Sequence, residues 1–352
     1  MPPKSFRALT ERQRCVLQAL VRLYIQRGRP VGSRVLARHL RRRLNLSPAS
    51  IRTVMAELEE MHYLTHPHTS AGRVPTDKGY RAYVDSLTET ETLSEHEQNI
   101  IARELQAREN RDTLLQDASR VLSTLASAIG IIRLPAPEQL IIHRIEFIQV
   151  SSTHLLLVLV LQSDVVRTFV VQSPLTISPT HIEHLSQLLN EYLAGHSLSA
   201  IPDILSAVLH DVPPLPAPLP DLVQQSLQQF PLLLQPSWQL YVSGASQLLR
   251  YPECATVEHA RTIATWMEES SMLLHLLTRY EQQLQHQPIF IGIGRELRAA
   301  TLQDYTLILA RYHLGSAQGI VGIIGPKRMF YPKVIPIVRS VAQRLSELCL
   351  QA

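Results

Sequence analysis

A helix predicted over residues 47–61 carries the side chains of this 352-residue chain that are best suited to chemistry. Ser47 is the expected N-cap, and Pro48 occupies the first turn. The apolar stripe of this helix, at i, i+3, i+4 and i+7, consists of Ile51, Val54, Met55 and Leu58. The opposite face carries small or basic residues, which are Ala49, Ser50, Arg52, Thr53 and Ala56. Such a face fits the major groove of DNA better than it fits a second protein core.

The chemistry expected of this region is contact with the bases and phosphates of double-stranded DNA. Three residues should lie nearest the base edges, namely Ser50, Arg52 and Thr53. Arg34 and Arg38, on the preceding helix, should contact phosphate, and Arg73 should contact phosphate or the minor groove. The other candidate DNA-binding residues lie at the start of the helix and near the tip of a hairpin: Ser47, His68, Thr69 and Ser70.

Charge is divided unequally along the chain. The formal net charge is +4, but residues 1–85 hold 16 lysines and arginines against 6 acidic residues, a balance of +10. Residues 86–352 hold 18 basic residues against 24 acidic ones, a balance of −6. A basic N-terminal module on an acidic body is typical of nucleic-acid-binding proteins, although a basic face that only aids solubility gives the same count.

The elements that must position these residues form an N-terminal module of about 87 residues. A first helix ends at Gly28, a short second helix begins at Ser33, and the third is the helix over 47–61. Two short extended pieces, at 63–65 and 73–75, then enclose a segment rich in turn formers. This order of elements predicts a winged helix-turn-helix.

The rest of the chain alternates between strand and helix patterns. Strands are predicted over 140–150, 154–162, 165–172, 288–293, 306–313 and 319–325. Helices are predicted over 88–130, as one long or two shorter helices, and over 179–194, 199–210, 221–229, 256–284 and 332–350. The segment PPLPAPLP (213–220) must be extended, as a semi-rigid connector or as a ligand of a signalling domain. Strands, a helical block and then strands again predict an α/β domain with a helical insertion.

The remaining motifs do not favour an enzyme. GIGREL (292–297) and GIVGIIGPKRM (319–329) match neither a phosphate loop nor a dinucleotide fingerprint, and Gly319, Gly322 and Gly325 are expected at bulges or close approaches within a strand. His181 and His184, with Glu183 between them, could hold a metal ion, but a solvated helix face is favoured. We therefore expect no catalytic residue, no cofactor and no metal.

Cysteine usage and hydropathy indicate where the protein acts. Cys15, Cys254 and Cys349 are far apart, which argues against a disulfide framework or a cysteine-based zinc site. The N-terminus shows no signal peptide, and neither 147–163 nor 222–249 offers about 20 predominantly apolar residues. We expect a soluble, cytoplasmic protein with no membrane partner.

Three segments resemble the heat-inducible transcription repressor family HrcA: GSRVLARHL, SPASIRTVMAELEEMHYL and PHTSAGRVPTDKGYRAYVD, all between residues 32 and 85. The resemblance extends more weakly to the C-terminus, where it rests on GIVGIIGPKRM. Three residues depart from the pattern expected of the family. Thr53 replaces an Asn of the recognition helix, His62 replaces a Gly at the end of that helix, and Phe330 replaces an acidic residue.

The resemblance implies a dimeric α+β multi-domain repressor of heat-shock (chaperone) genes. It implies an inverted-repeat DNA operator and an activity linked to a GroEL-type chaperonin. The implied domains are a winged-helix DNA-binding domain (1–87), a helical connector (88–130), a GAF-like domain (131–178 and 286–352) and a mostly helical dimerisation insert (179–285).

Two questions stay open at the level of the sequence. The dimer contacts should lie outside residues 1–85, and Leu185, Leu188 and Leu189 are either members of that interface or internal core. The alternative function is that of a ligand-sensing winged-helix regulator, in which the GAF-like domain binds a small molecule and transmits its presence to the DNA-binding module.

Overall fold

The computed structural model describes residues 9–44, 46–67, 72–87, 92–106, 111–136, 139–152, 154–162, 166–172, 178–211, 240–285, 287–315 and 317–350. These residues form an N-terminal module, a body built on a five-stranded sheet, and a smaller unit with a three-stranded sheet, here called the insert. The extended segment predicted at 213–220 and the helix predicted at 221–229 lie outside the described residues.

The N-terminal module is a winged helix-turn-helix, as predicted. Its elements are α1 (Glu11–Arg27), α2 (Ser33–Leu44), α3 (Pro48–Glu60), β1 (Leu64–Thr65), β2 (Val74–Pro75) and α4 (Asp77–Asp85). A capping box between Thr10 and Gln13 begins α1, and Gly28 ends it in the left-handed conformation, with φ 63°. β1 and β2 pair antiparallel, and the backbone of Val31 adds a bridge to Arg73.

The chain then passes through the body, the insert and the body again. The elements are α5 (Glu95–Glu104), α6 (Arg111–Ala126), β3 (Ile129–Arg133), β4 (Ile142–Gln149), β5 (His154–Leu161), β6 (Val166–Gln172), α7 (Pro179–Leu193), α8 (Ile201–Asp211), β7 (Leu240–Ser243), α9 (Ala245–Leu248), α10 (Val257–Glu268), α11 (Ser270–Glu281), β8 (Ile289–Ile293), β9 (Tyr305–Leu314), β10 (Ala317–Pro326) and α12 (Tyr331–Leu350).

The sheet of the body is antiparallel throughout and has the order β7-β3-β10-β9-β8. Helices α6 and α12 pack on one face of this sheet, and α10 and α11 pack on the other. Alternate residues of the same strand therefore enter different cores: Ile308 faces the first and Leu309 the second. Burial on both faces explains why β9 and β10 are continuous apolar runs in the sequence.

The unit called the insert here begins with β4, β5 and β6, which were expected in the GAF-like domain, and not at residue 179. The strands predicted over 140–172 do form, but they pair only with one another in the described structure, in the order β4-β5-β6, and do not extend the sheet of the body. Helix α7 covers one face of this small sheet. The Asn190 side chain on α7 donates to the backbone oxygen of Ile145 (2.6 Å) and accepts from its N–H (2.8 Å), which fixes the helix against β4.

One expectation about helices needs correction, and one open alternative is decided. The single helix predicted over 256–284 is two helices, because Glu269 between them has φ −101° and ψ 78°, outside the helical region. Leu185 and Leu189 belong to the internal core of the insert, with 0% and 2% of their surface exposed, so they are not available to a second copy of the chain.

Candidate nucleic-acid interface

The N-terminal end of α3 is shaped by its cap. The Ser47 hydroxyl accepts a hydrogen bond from the backbone N–H of Ser50 (3.1 Å) and lies 3.0 Å from the Ser50 hydroxyl. Pro48 follows in the first turn, where its missing N–H costs nothing. The exposed first turn of a helix presents unpaired N–H groups and the positive end of the helix dipole, which favours a phosphate or a base acceptor.

The two faces of α3 have the burial that the sequence predicts. The stripe of Ile51, Val54, Met55 and Leu58 is buried against α1 and α2. Arg52 and Thr53 are exposed on the opposite face. The Thr53 hydroxyl donates to the backbone oxygen of Ala49 at 3.4 Å, so its lone pairs remain available as acceptors. The Gln13 side chain on α1 donates to Glu57 (2.9 Å) and ties α3 to the first helix.

The end of α3 is fixed by a left-handed residue that is not glycine. His62 has φ 62°. The N–H of His62 bonds to the oxygen of Glu59 and the N–H of Tyr63 to that of Leu58, both at 2.9 Å, which is the pattern of a Schellman motif. His62, which departs from the family pattern, therefore keeps the conformation that glycine adopts most easily.

Arg73 is held by α3 itself, a contact that the sequence did not predict. Its Nε lies 2.6 Å from Oε2 of Glu59, and His66 contacts the other oxygen of the same carboxylate. The Arg73 side chain is only partly exposed. One acidic residue of α3 thus joins the two sides of the hairpin to this helix. The other wing candidates, His68, Thr69 and Ser70, lie outside the described residues.

Helix α2 supplies a larger basic surface than predicted. Arg34 and Arg38 are exposed, as expected of phosphate-contacting residues. The last turn adds three exposed arginines, Arg41, Arg42 and Arg43. They were not among the DNA-binding residues predicted from the sequence, although a run of three arginines is a visible signal. The sequence of α2 contains no acidic residue to neutralise them. This surface attracts a polyanion over its whole length.

The features considered as enzyme or metal sites have structural explanations. His181 lies at the start of α7, where its ring nitrogen is 2.9 Å from the Ser178 hydroxyl of the N-cap. No group of three metal-ligating side chains occurs among the described residues. The strand glycines are close-approach positions, as predicted: a side chain at Gly319 would meet the Tyr312 ring at 2.2 Å.

A membrane-spanning helix or a ligand cavity would indicate another functional class. No helix in the described part of the chain is long and apolar enough to cross a membrane. An apolar pocket of about 230 Å³ lies between α10, α11 and the turn after β8, and is lined in part by Trp266, Met272 and Leu276. Its volume is below the range of about 300–1,000 Å³ that is usual for ligand sites, whereas two more open clefts, of about 550 Å³ beside β8 and about 680 Å³ between β4 and α7, fall within that range.

Two family models match this chain. Residues 8–89 match the model described as winged helix-turn-helix transcription repressor, HrcA DNA-binding, and residues 112–335 match the HrcA protein C terminal domain. The heat-inducible transcription repressor HrcA of Chlorobium phaeobacteroides (strain BS1) is 34% identical and covers 97% of this chain and 98% of the relative. That of Geobacter sulfurreducens is 35% identical with the same coverage.

A solved structure described as a hypothetical protein at 2.2 Å resolution shares the fold. Its TM-score is 0.68, its sequence identity is 24%, and the match covers 97% of this chain and 99% of that one. The similarity therefore extends over the module, the body and the insert.

Proposed function

The chain belongs to the HrcA family of heat-inducible transcription repressors, and from that premise we propose that it binds, as a homodimer, an inverted-repeat operator of chaperone genes. The observation that carries the proposal is the exposed face of α3. Arg52 and Thr53 project from a helix whose other face is fully packed, next to the arginine-rich α2. Membership of a repressor family also agrees with the expectation that the protein is not an enzyme.

The proposed binding mode places α3 in the major groove. Ser50, Arg52 and Thr53 are the candidates for base contacts, and an arginine that binds guanine with two hydrogen bonds contributes about 1–3 kcal/mol of discrimination. Arg34 and Arg38 contribute phosphate contacts, which strengthen binding to every sequence alike. Arg73 approaches DNA from the wing while Glu59 holds it.

Substitution separates the two kinds of contact. Arg52→Ala should weaken operator binding by about 1–3 kcal/mol and relax the base preference at one position of each half-site. Arg34→Ala should weaken binding to all DNA sequences equally, and it should reduce the slope of log affinity against log salt concentration by about one unit. Fluorescence anisotropy at several salt concentrations measures both quantities.

Arg103→Ala is the matched control for these variants, because Arg103 is an exposed arginine of α5 that pairs only with its neighbour Glu104 among the described contacts. It should leave affinity and salt slope unchanged. If Arg52→Ala, Thr53→Ala and Arg73→Ala together leave operator binding unchanged, the assignment of α3 as the recognition helix is wrong.

The dimer interface is proposed on the outer face of the insert sheet. This face carries six apolar side chains that are exposed or half-buried, namely Ile148, Leu156, Val158, Val160, Val166 and Val170. They form cross-strand rows, with Ile148, Leu156 and Val170 in one row. The same face also carries Arg144, Glu146 and Thr168, and Arg144 forms an ion pair with Glu146. Exposed apolar rows of this kind are often covered by a partner, and a second copy of the chain presents an identical face.

Charge placed on this face tests the dimer. Val158→Asp should convert the protein to monomers at micromolar concentration, because two carboxylates would be buried about the twofold axis. His184→Asp, which adds the same charge on the exposed side of α7, is the control and should remain dimeric. Light scattering after size-exclusion chromatography distinguishes the two, and a dimeric Val158→Asp would exclude this face as the interface.

The link to a GroEL-type chaperonin is proposed from the topology of the body. β3 pairs with β10 and β7, so strands more than a hundred residues apart must meet before the sheet closes. Such nonlocal pairing folds slowly and leaves apolar strands exposed meanwhile. Chaperonin then controls the active fraction of repressor in the cytoplasm, and stress lowers that fraction by diverting chaperonin to other proteins.

Operator occupancy after thermal inactivation and cooling tests this link, with and without chaperonin and ATP. Recovery should depend on chaperonin. Full spontaneous recovery would remove the chaperonin from the proposal and leave a DNA-binding repressor that senses heat directly by its own unfolding.

A further inference from the structure

The two glycine-containing motifs of the body meet the DNA-binding module at α4. Asp77, the first residue of α4, has one carboxylate oxygen 2.9 Å from Nζ of Lys327. Its other oxygen accepts the backbone N–H of Arg295 at 3.0 Å. A side chain at Gly294, which has φ 54°, would meet this carboxylate at about 2.4 Å. Arg295 of GIGREL and Lys327 of GPKRM therefore both contact the carboxylate of Asp77.

Arg81, one turn further along α4, makes a second polar contact with the body. Its Nε donates to Oε1 of Glu296 at 2.9 Å, and a terminal nitrogen donates to Oε2, so the pair is bidentate. The same guanidinium donates to the backbone oxygen of Ile291 on the edge strand β8. Burial lowers the pKa of Arg81, but the hydrogen bonds and charge of Glu296 outweigh burial, and the pKa is raised.

A third polar contact joins the body to the end of α1, a helix that packs against α4. Arg328 donates to the backbone oxygen of Ile25, near the end of α1, at 3.3 Å. It also pairs with Glu253 (3.0 Å) and lies 5.3 Å from the centre of the Tyr251 ring. A side chain at Gly28 would meet the guanidinium carbon at 3.2 Å.

The polar attachments therefore lie on α4 and on the end of α1, and they surround an apolar contact in which the buried rings of Tyr80 and Tyr83 on α4 pack against Tyr331 at the start of α12. Two fixed points oppose rotation of the module, which a single point would permit. Arg52 and Thr53 on α3 are exposed although the module contacts the body, so its proposed DNA-binding face is accessible to DNA.

We propose that Asp77, Arg81, Lys327 and Arg328 are positioning residues that fix the angle of the DNA-binding module on the body, and thereby set the half-site spacing that the dimer accepts. The inference rests on the proposed function of a dimer on an inverted repeat. In such a complex the two recognition helices must match half-sites separated by about one helical turn or a multiple of it. A module that rotates freely binds its second half-site at a lower effective concentration and over a wider range of spacings.

The test compares three DNAs in anisotropy measurements with the full-length protein: the operator, a single half-site, and operators whose half-sites are moved apart by one to six base pairs. Arg81→Ala should bind the operator at least about fivefold more weakly, bind the half-site as the wild type does, and accept altered spacings that the wild type rejects. Lys327→Ala, at the other attachment to α4, should change the same quantities in the same direction.

Two controls separate positioning from a general loss of stability. Arg120→Ala removes an arginine whose ion pair with Asp117 lies within α6, and it should behave as the wild type. The double variant of Arg81→Ala with Glu296→Ala should bind no more weakly than the weaker of the two single variants, because the two side chains act through one contact.

The outcomes are distinguishable. An operator affinity and a spacing preference that are unchanged in both Arg81→Ala and Lys327→Ala would overturn the inference, and so would an equal loss on operator and half-site. A wild-type protein that binds operator and shuffled DNA alike would instead contradict the proposed function itself.

Discussion

The left-handed residue at the end of α3 gives a prediction whose magnitude follows from backbone geometry. His62 has φ 62° and an exposed side chain, so replacement by glycine removes strain without removing packing. The left-handed conformation costs an L-residue about 1–2 kcal/mol, whereas glycine loses about 0.4–1 kcal/mol more backbone entropy on folding. The difference predicts that His62→Gly stabilises the module by about 0.5–1 kcal/mol.

Amide hydrogen exchange measures this change where it occurs. The N–H of Tyr63, which closes the Schellman motif on Leu58, should exchange about two- to fivefold more slowly in His62→Gly. His62→Ala is the matched variant, because it removes the imidazole but keeps a Cβ, and it should show no gain. Equal exchange in the glycine and alanine variants would refute the reasoning from strain.

Three further predictions concern the module and the cysteines. A methyl group at Gly79 would lie 2.2 Å from the Tyr63 carbonyl oxygen, so Gly79→Ala should destabilise the module by about 1–3 kcal/mol, and an unchanged thermal transition would contradict this. Ser47→Ala removes the N-cap of α3 and should cost about 1 kcal/mol, seen as faster amide exchange in the first turn but not the last; uniform exchange would count against it. Burial raises the pKa of Cys254 to about 12, and all three cysteines are buried. A thiol reagent near neutral pH should therefore label no cysteine in the native protein and three in denaturant, and rapid labelling of the native protein would disprove this.

Helix α3 could be predicted from the sequence because its signals are local. The cap at Ser47, the proline at Pro48 and the stripe from Ile51 to Leu58 all lie within one helix, and each acts over three or four residues. The wing strands were predicted for the same reason, since turn formers separate two short extended pieces. The strands and helices of the body and insert were mostly found by their periodicity.

Strand partners and side-chain partners could not be predicted in this way. Periodicity shows that β4 is a strand. Strands of the insert and strands of the body have the same period, so the pattern could not predict that β4 belongs to a separate sheet. β7 was missed because it has only four residues. β3 was missed because the helical segment predicted over 88–130 ends at Ala126 in the structure, and the strand that begins at Ile129 has only five residues. The pair of Arg73 with Glu59 and that of Arg81 with Glu296 depend on the folded chain, which brings together residues 14 and 215 positions apart.

A footprint of the purified protein on the promoter of its chaperone genes tests the central claim most directly. The account predicts two protected half-sites related by twofold symmetry, with centres about 10–10.5 base pairs apart or a multiple of that distance. It also predicts that Arg52→Ala weakens this protection while Arg103→Ala does not. Protection of a single asymmetric patch, or equal protection of DNA with a shuffled sequence, would contradict it.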